Sequence, residues 1–151
     1  MMKPLTISAR GVLVVAALAA ATAAWADDPK GEAKTDNKLV GTWKRISAKY
    51  DGQESTLPGG VTQLKHVTPT HFMWALYGED GKVVAALGGT YTAKGEEYVE
   101  IPEYGVGEGL DPLKGKPQVF KWKVEGNKWS HTGKLRTGTI VEEVWERVEK
   151  K

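Results

Sequence analysis

The side chains best suited to acid–base or metal chemistry are three histidines and two glutamates on predicted strands. They are His66, His71, His131, Glu100 and Glu143. A histidine beside a carboxylate in a closed cavity makes a general acid–base pair. Zinc would use the three histidines, or two of them with one glutamate, and haem would use His71 or His131 as an axial ligand.

The spacing of these residues does not favour a metal or a cofactor. No two candidate ligands have the short spacing of a His-x-His motif. Pro69 breaks the strand between His66 and His71, which leaves their relative facing open. We therefore expect histidines that hydrogen-bond within the fold or face water, with no metal, no cofactor and no catalytic residue. The alternative is an isomerase or hydrolase that uses His131 and Glu143.

Aromatic residues give the strongest indication of a binding pocket. Five of the six tryptophans lie after residue 38, with several tyrosines among them. Large rings fill a small core, and their N–H and O–H groups can also orient a ligand. Tyr98 and Glu100 lie on one face of the predicted strand 96–104, and Val99 and Ile101 lie on the other. Tyr98 and Glu100 belong to the pocket only if their face points into the barrel. The predicted pocket residues are Tyr98, Glu100, Trp122, Trp129, His131, Glu143 and Trp145.

Short segments of alternating apolar and polar residues predict an all-β fold. The clearest is 118–124, in which Phe120 and Trp122 share one face and Lys121 lies on the other. Turns that contain Gly separate similar segments, and no stretch has the 3.6-residue period of a helix. The eight predicted strands are 39–47, 61–67, 70–77, 82–92, 96–104, 118–124, 128–134 and 139–148.

Eight short antiparallel strands joined mostly by tight turns form a meander. A meander of this size either stacks into a sandwich or closes into an up-and-down barrel. Closure removes both exposed edges, and an eight-stranded barrel has room for one small ligand. The two longer connections, 51–60 and 105–117, are rich in Gly and Pro and are expected at the barrel mouth.

The segment LVGTWK, residues 39–44, resembles the opening strand of the calycins, the superfamily of lipocalins and fatty-acid-binding proteins. Further segments, THFMW (70–74), GGTY (88–91) and EVWERV (143–148), resemble exported bacterial lipocalin-like domains of unassigned function. The resemblance covers residues 39–148 and implies a β-barrel with a central cavity. It also implies a structural clasp of Gly41, Trp43 and Arg147, in which the guanidinium covers the indole face.

The last predicted strand departs from the fatty-acid-binding proteins in its charge. Those proteins end in a strand with Arg-x-Tyr that grips a ligand carboxylate, whereas this chain has Glu143-Val144-Trp145 there. A buried carboxylate near the ligand head repels a fatty acid. The sequence therefore predicts a neutral or cationic amphiphile as the ligand.

The first 26 residues are expected to be a cleaved export signal. Lys3 and Arg10 form its positive region, 11–23 its apolar run, and Ala24-Trp25-Ala26 a small-x-small cleavage site. The apolar run is shorter than the about 20 residues that span a bilayer. The sequence therefore predicts a periplasmic or secreted protein without a stable membrane anchor.

The remaining chain is expected to hold one domain. Residues 27–38 have almost no apolar side chain to bury and predict a disordered leader, which is followed by the barrel domain at 39–151. The chain has 21 basic and 19 acidic residues, and the signal holds two of the basic ones, so the mature charge is balanced. Interleaved charges of this kind do not form the basic surface patch that binds nucleic acid. The absence of Cys excludes disulfides and thiolate metal sites.

Together these features predict an exported barrel that binds a small hydrophobic or amphipathic molecule and is not an enzyme. Two alternatives stay open. One is the His–Glu enzyme, and the other is a structural or inhibitory module that uses its rim and has no ligand. The interior distinguishes them, because a ligand needs a cavity and a structural module does not.

Overall fold

The computed structural model describes residues 37–149. The predicted signal peptide, 1–26, and residues 27–36 of the predicted leader lie outside the described residues. Asn37–Leu39 forms a 3₁₀ turn ahead of the first strand. Asn37 and Lys38, which the sequence predicts to be part of the leader, therefore belong to a regular element.

Nine strands and a second 3₁₀ turn make up the rest of the described chain. They are β1 Gly41–Tyr50, β2 Gln53–Glu54, β3 Thr62–Val67, β4 His71–Tyr77, β5 Val83–Lys94, β6 Glu97–Val106, the 3₁₀ turn Asp111–Leu113, β7 Gln118–Glu125, β8 Lys128–Lys134 and β9 Ile140–Arg147. The eight predicted strands are all present, and β2 is an addition within a predicted loop. Between residues 37 and 149 there is no helix with the length and apolar character needed to cross a membrane.

Eight of these strands close into an antiparallel barrel. Each strand from β3 to β9 pairs with the next along the chain, and β1 pairs with both β3 and β9. The seam between β1 and β9 runs from Trp43 opposite Arg147 to Tyr50 opposite Val141. The short strand β2 pairs with the end of β1 and is not part of the closed ring. The predicted all-β, eight-stranded antiparallel barrel is confirmed.

A β-bulge in β1 decides which of its side chains face the interior. The pairing with β9 skips Ile46, which is exposed, between Arg45 and Ser47. An extra residue on one strand shifts the alternation of inward and outward side chains by one position. Arg45 is therefore buried before the bulge, whereas Ala48 and Tyr50 are the covered residues after it.

The facing of β6, which the sequence left open, follows from burial. Tyr98, Glu100 and Pro102 are buried, while Ile101 is exposed and Val99 is only partly covered. The face with Tyr98 and Glu100 points into the barrel, although the opposite face is the more aliphatic one.

Aromatic side chains fill the end of the barrel at which β1 begins, which we call the base. The ring centroid of Trp129 lies 5.5 Å from that of Trp43, 5.3 Å from Tyr98 and 6.2 Å from Trp145. All four side chains are fully buried. Offset and edge-on ring contacts of this kind add to the stability that burial provides. The base is packed solid.

The opposite end, the mouth, is where β1 ends. Because successive strands are antiparallel, the connections 51–61, 78–82, 107–117 and 135–139 all lie at this end. They include both of the longer connections that the sequence placed at the mouth. The second 3₁₀ turn lies in one of them and buries Leu113.

Candidate functional site

Above the aromatic base, the barrel contains a cavity of about 240 Å³. Its charged side chains and its histidine come from the middle of the strands, namely Arg45, Lys65, Glu100, His131 and Glu143. Its apolar lining lies nearer the mouth and includes Leu76, Leu87, Leu113, Leu135 and Val141. The interior is therefore neither packed solid nor uniformly apolar.

Lys65 and Glu100 form a buried ion pair at the floor of the cavity. Nζ of Lys65 lies 2.7 Å from Oε1 of Glu100, and the two side chains are 2% and 6% exposed. Tyr98 donates its O–H to the same oxygen at 2.7 Å. Burial raises the pKa of Tyr98 well above its ordinary value, and the adjacent Glu100 raises it further, so the phenol stays a donor. Buried charges are tolerated when they are paired and hydrogen-bonded in this way.

The ammonium group of Lys65 also faces the aromatic base. It lies 4.9 Å from the ring centroid of Trp145 and 5.0 Å from that of Trp129. The rings of Phe72 and Tyr98 are at 5.7 and 5.8 Å. Cation–π attraction is strongest for a desolvated cation, so the rings of the base act as a second partner for this charge.

Glu143 is a buried carboxylate with a full set of donors. Its Oε1 accepts from the Tyr50 hydroxyl at 2.8 Å, and its Oε2 accepts from His131 Nε2 at 2.8 Å and Trp145 Nε1 at 3.1 Å. Burial raises the pKa of Glu143, but His131, Lys65 and Tyr50 outweigh that effect and lower the pKa to about 2. An ionised carboxylate can only accept, so Nε2 of His131 carries a proton and donates it.

Arg45 is the cavity cation that lacks a carboxylate partner. It is 8% exposed, and its Nη1 donates to the Tyr50 hydroxyl at 2.9 Å. Its side chain has no other hydrogen bond or ion pair with any residue in 37–149. The next inward residue on the neighbouring strand β3 is Gln63, which is 4% exposed. The side-chain oxygen of Gln63 is buried without a partner in the described structure. Two side chains therefore line the cavity with hydrogen-bonding capacity that the fold does not use.

Two connections at the mouth cover the cavity, and a glutamine joins them. Leu113 and Leu135 belong to two different connections at the mouth, and both line the cavity. Gln118, which is 2% exposed, joins these connections. Its Nε2 donates to the carbonyl of Lys116 at 2.8 Å, and its Oε1 accepts from the backbone N–H of Arg136 at 2.9 Å. The two connections thus act as one cover.

Six of the seven predicted pocket residues lie inside the barrel, at two depths. Those that line the cavity are Glu100, His131 and Glu143. Those buried in the base beneath it are Tyr98, Trp129 and Trp145. The base residues Tyr98 and Trp145 reach the cavity wall through their hydrogen bonds to Glu100 and Glu143. They support the wall rather than form it.

Trp122 is the predicted pocket residue that belongs neither to the lining of the interior cavity nor to the aromatic base. It is half-buried and packs against the edge of the core cluster, and it does not line the interior cavity. Its backbone N–H donates to the carbonyl of Glu96 at 3.1 Å, just ahead of β6. Trp122 shares the inward face of β7 with Phe120, and it lines a separate groove together with His131 and Glu143, so its role as a pocket residue stays a prediction.

The polar cavity residues that sequence reasoning missed are Arg45, Tyr50, Gln63, Lys65 and Gln118. Arg45 lies two positions after the inward Trp43, so the two-residue period of a strand could have placed it inside. Lys65 is directly opposite Trp43 in the register of β1 and β3. Tyr50 had no such signal, because the bulge at Ile46 reverses the facing of β1 before it.

Gly41, Trp43 and Arg147 meet in the clasp at the base. Cζ of Arg147 lies 4.0 Å from the ring centroid of Trp43. Its Nη1 donates to the carbonyl of Val40 at 2.8 Å, and its Nη2 donates to the carbonyl of Lys38 at 2.5 Å. Gly41 has a φ of 145°, and a Cβ there would lie 2.5 Å from Nη1 of Arg147. A side chain at this position would displace the guanidinium.

The three histidines do not converge. His66 and His71 are exposed and hydrogen-bond to Thr42 at 3.1 Å and Thr70 at 2.7 Å, whereas His131 is buried in the barrel. A zinc site of all three histidines is thus contradicted, and His71 does not line the cavity as a haem ligand would. Across residues 37–149, no three His, Asp or Glu side chains are grouped so that they could hold a metal ion.

The expectation of a neutral or cationic ligand rested on Glu143 as an uncompensated charge. In the structure Glu143 accepts three hydrogen bonds, and Glu100 is paired with Lys65. The charged group left without an opposite charge within ion-pair distance is Arg45. The repulsion of an anion inferred from the last strand alone does not follow from the complete cavity.

The chain matches no protein-family model and no curated protein. Among solved structures it is similar to a redesigned β-barrel, with 17% sequence identity and a TM-score of 0.49. The alignment covers 77% of this chain and 96% of that chain. A similarity of this level says nothing about a ligand.

Proposed function

We propose that this protein is an exported, lipocalin-like barrel that binds one small molecule in its interior. The observation that carries the proposal is the cavity of about 240 Å³, with its apolar wall and its unused polar groups. Small-molecule sites are usually concave and mostly apolar, with a few placed polar groups that fix orientation. A barrel interior that served stability alone would be filled with apolar side chains, because buried charges add little net stability.

The size of the cavity limits the ligand. An apolar cavity of about 150 Å³ holds a benzene molecule, so this cavity has room for roughly ten non-hydrogen atoms. A molecule of this size would place its polar group among the charged side chains and its apolar part beneath Leu113 and Leu135. A long-chain amphiphile would have to leave part of its chain outside the mouth.

The His131–Glu143 pair, joined at 2.8 Å, is the observation on which an enzyme would rest. Glu143, with its pKa of about 2, is a weak base at neutral pH, and both of its oxygens already accept hydrogen bonds. Nδ1 of His131 is buried without a partner among the described residues and is shielded from solvent. The pair is better suited to fixing the cavity wall than to moving protons.

The cavity also argues against a purely structural module, because such a module needs no cavity.

The test is stabilisation by ligand. A ligand that binds the folded state raises the free energy of unfolding by about 2.7 kcal/mol at a hundred times its Kd. Thermal unfolding would be followed by tryptophan fluorescence with small amphipathic acids, amides, amines and quinones. If no compound raises the Tm, interior binding is excluded for these classes and the proposal fails.

A matched pair of variants would locate the binding. Val141→Phe places extra volume in the cavity, whereas Val119→Phe makes the same change on the exposed outer face of β7. We expect Val141→Phe to abolish the ligand-induced rise in Tm and Val119→Phe to leave it unchanged. Equal responses of the two variants would place the ligand outside the barrel.

Export stays a prediction, because residues 1–26 lie outside the described residues.

A further inference from the structure

The charge of the ligand follows from the one charged cavity side chain that the fold leaves unpaired among the described residues. We propose that Arg45, assisted by Gln63, binds the carboxylate of a small organic acid inside the barrel. The inference rests on the proposed function, since it assumes that the cavity takes a ligand. It goes further by assigning the chemical class of that ligand, which is opposite to the class expected from Glu143 alone.

The first argument is the hydrogen-bonding capacity of Arg45. A guanidinium has five N–H donors, and the described structure uses one of them, from Nη1 to Tyr50. The side chain is 8% exposed, so bulk water does not satisfy the others fully. An unsatisfied charged group in a low-dielectric interior costs much more free energy than a neutral one. A carboxylate matches the planar, paired donors of a guanidinium better than any other common anionic group except phosphate.

The second argument is the position of Gln63 beside Arg45. The last register pair between β1 and β3 is Lys44 with Leu64, and the next residue on each strand is Arg45 and Gln63. Both side chains line the cavity, and neither end of the Gln63 amide has a hydrogen bond within the described residues. Through its Nε2 the amide can add a neutral donor to the same carboxylate, whereas its buried oxygen can only accept and does not bind an anion. Two neighbouring strands therefore supply one recognition surface.

The third argument is that the other charged side chains of the cavity already have hydrogen-bond partners. Lys65 is bound to Glu100 at 2.7 Å, and Glu143 is bound to His131 at 2.8 Å. Arg45 reaches Glu143 only indirectly, because the hydroxyl of Tyr50 lies between them. An incoming carboxylate can approach Arg45 without breaking either pair. An incoming ammonium group finds both carboxylates already occupied by donors.

The geometry also sets the direction of entry. Arg45 is in the middle of β1, whereas the apolar lining residues Leu76, Leu113 and Leu135 lie at the mouth or in its connections. The acid therefore enters with its carboxylate first and leaves its apolar body beneath the cover. With room for roughly ten non-hydrogen atoms, the ligand is a short aliphatic or single-ring aromatic acid.

The decisive experiment compares ligands that differ only in their polar group. Hexanoate, hexanamide and hexylamine form one matched series, and benzoate, benzamide and benzylamine form another. Isothermal titration calorimetry on the purified protein at neutral pH would give the Kd of each. We expect each acid to bind at least about tenfold more tightly than its amide, because charge-assisted hydrogen bonds are roughly twice as strong as neutral ones. We expect the amines to bind most weakly.

A variant pair assigns the preference to Arg45. Arg45→Gln removes the charge but keeps an amide donor, and Arg136→Gln makes the same change at an exposed position. Arg45→Gln should reduce the acid-to-amide ratio of affinities to about one, and Arg136→Gln should leave it unchanged. Circular dichroism would check the fold of both. If Arg45→Gln does not fold, the two ligand series on the unmodified protein still decide whether the cavity prefers a carboxylate.

The possible outcomes separate this inference from the function on which it rests. If amides or amines bind as tightly as the acids, the carboxylate assignment is overturned and interior binding stands. If acids bind best but Arg45→Gln keeps the preference, the assignment to Arg45 is overturned. If neither series binds and no other compound raises the Tm, the proposed function fails as well.

Discussion

Arg147 covers the indole face of Trp43 across the seam of the barrel, with its guanidinium carbon 4.0 Å from the ring centroid. The two residues are also direct partners in the register between β1 and β9. The same guanidinium donates to the backbone carbonyls of Val40 and Lys38, just ahead of β1. One side chain therefore holds both the closing strands and the entry of the chain into the barrel.

Replacing Arg147 by Ala should lower the free energy of unfolding by about 2 kcal/mol. The variant loses a cation–π contact of about 1 kcal/mol and hydrogen bonds that contribute about 1 kcal/mol each in net terms. Water partly replaces the lost hydrogen bonds, which reduces the total. Urea unfolding with a shared m-value measures the change. Arg136→Ala, at an exposed position, is the matched control and should change stability by less than about 0.5 kcal/mol. Equal effects of the two variants would remove Arg147 from the clasp.

Replacing Gly41 by Ala should disturb the same contact from the other side. The new Cβ would meet Nη1 of Arg147 in a backbone conformation, φ 145°, that L-residues rarely adopt. We expect a loss of about 1–3 kcal/mol, which is the usual cost of such strain. Gly59→Ala, where a Cβ meets nothing within 4 Å, should be close to neutral. Because the added methyl group displaces the guanidinium, the cost of Gly41→Ala should shrink in the Arg147→Ala background, and full additivity would argue against this mechanism.

Breaking the buried pair of Lys65 and Glu100 should cost far more than breaking a surface pair. Lys65→Met leaves an unpaired buried carboxylate and should destabilise the fold by about 3–5 kcal/mol. Adding Glu100→Gln should recover much of this loss, since the double variant leaves no buried charge at the pair. Lys82→Met breaks an exposed pair with Asp80 and should cost less than about 1 kcal/mol. A double variant that is no more stable than Lys65→Met would contradict the pairing.

Glu143 should make stability depend on acid pH. Its pKa is about 2 in the folded protein and near 4.5 when unperturbed. A carboxyl group with a lowered folded pKa contributes stability above its unfolded pKa, and this contribution is lost as the pH falls from about 4.5 to about 2. The shift corresponds to about 3 kcal/mol. Urea unfolding of the wild type and Glu143→Gln between pH 6 and pH 2 should show a difference that shrinks by about this amount. Parallel pH profiles would show that Glu143 has no such role.

The architecture could be predicted because its signals are local. Alternation of apolar and polar residues located the eight barrel strands, and the spacing of Gly-containing turns indicated a meander. The inward faces of β7 and β8 were also correct for Phe120, Trp129 and His131. These signals require only that each strand has one covered face and one exposed face.

The cavity could be predicted only in part, because its charges break the rule that apolar side chains point inward. Lys65 and Arg45 are buried, yet a sequence reading places such residues on the solvent side. Their compensation depends on partners far along the chain, such as Glu100 for Lys65. Tyr50 could not be predicted as a cavity residue for a different reason. The single extra residue Ile46 reverses the facing of every side chain that follows it in β1. Long-range pairing and bulges leave no local signal.

The seam between β1 and β9 has a consequence for how the chain reaches its native state. It joins segments at opposite ends of the barrel sequence, as in the contact of Arg147 with Val40, 107 positions away. Such a contact has a large loop-closure entropy, so ring closure is expected to be late and slow. Until it happens, β1 and β9 are two open edges that other chains can pair with. The yield of refolding should therefore fall as protein concentration rises, and a weaker seam should make that fall steeper.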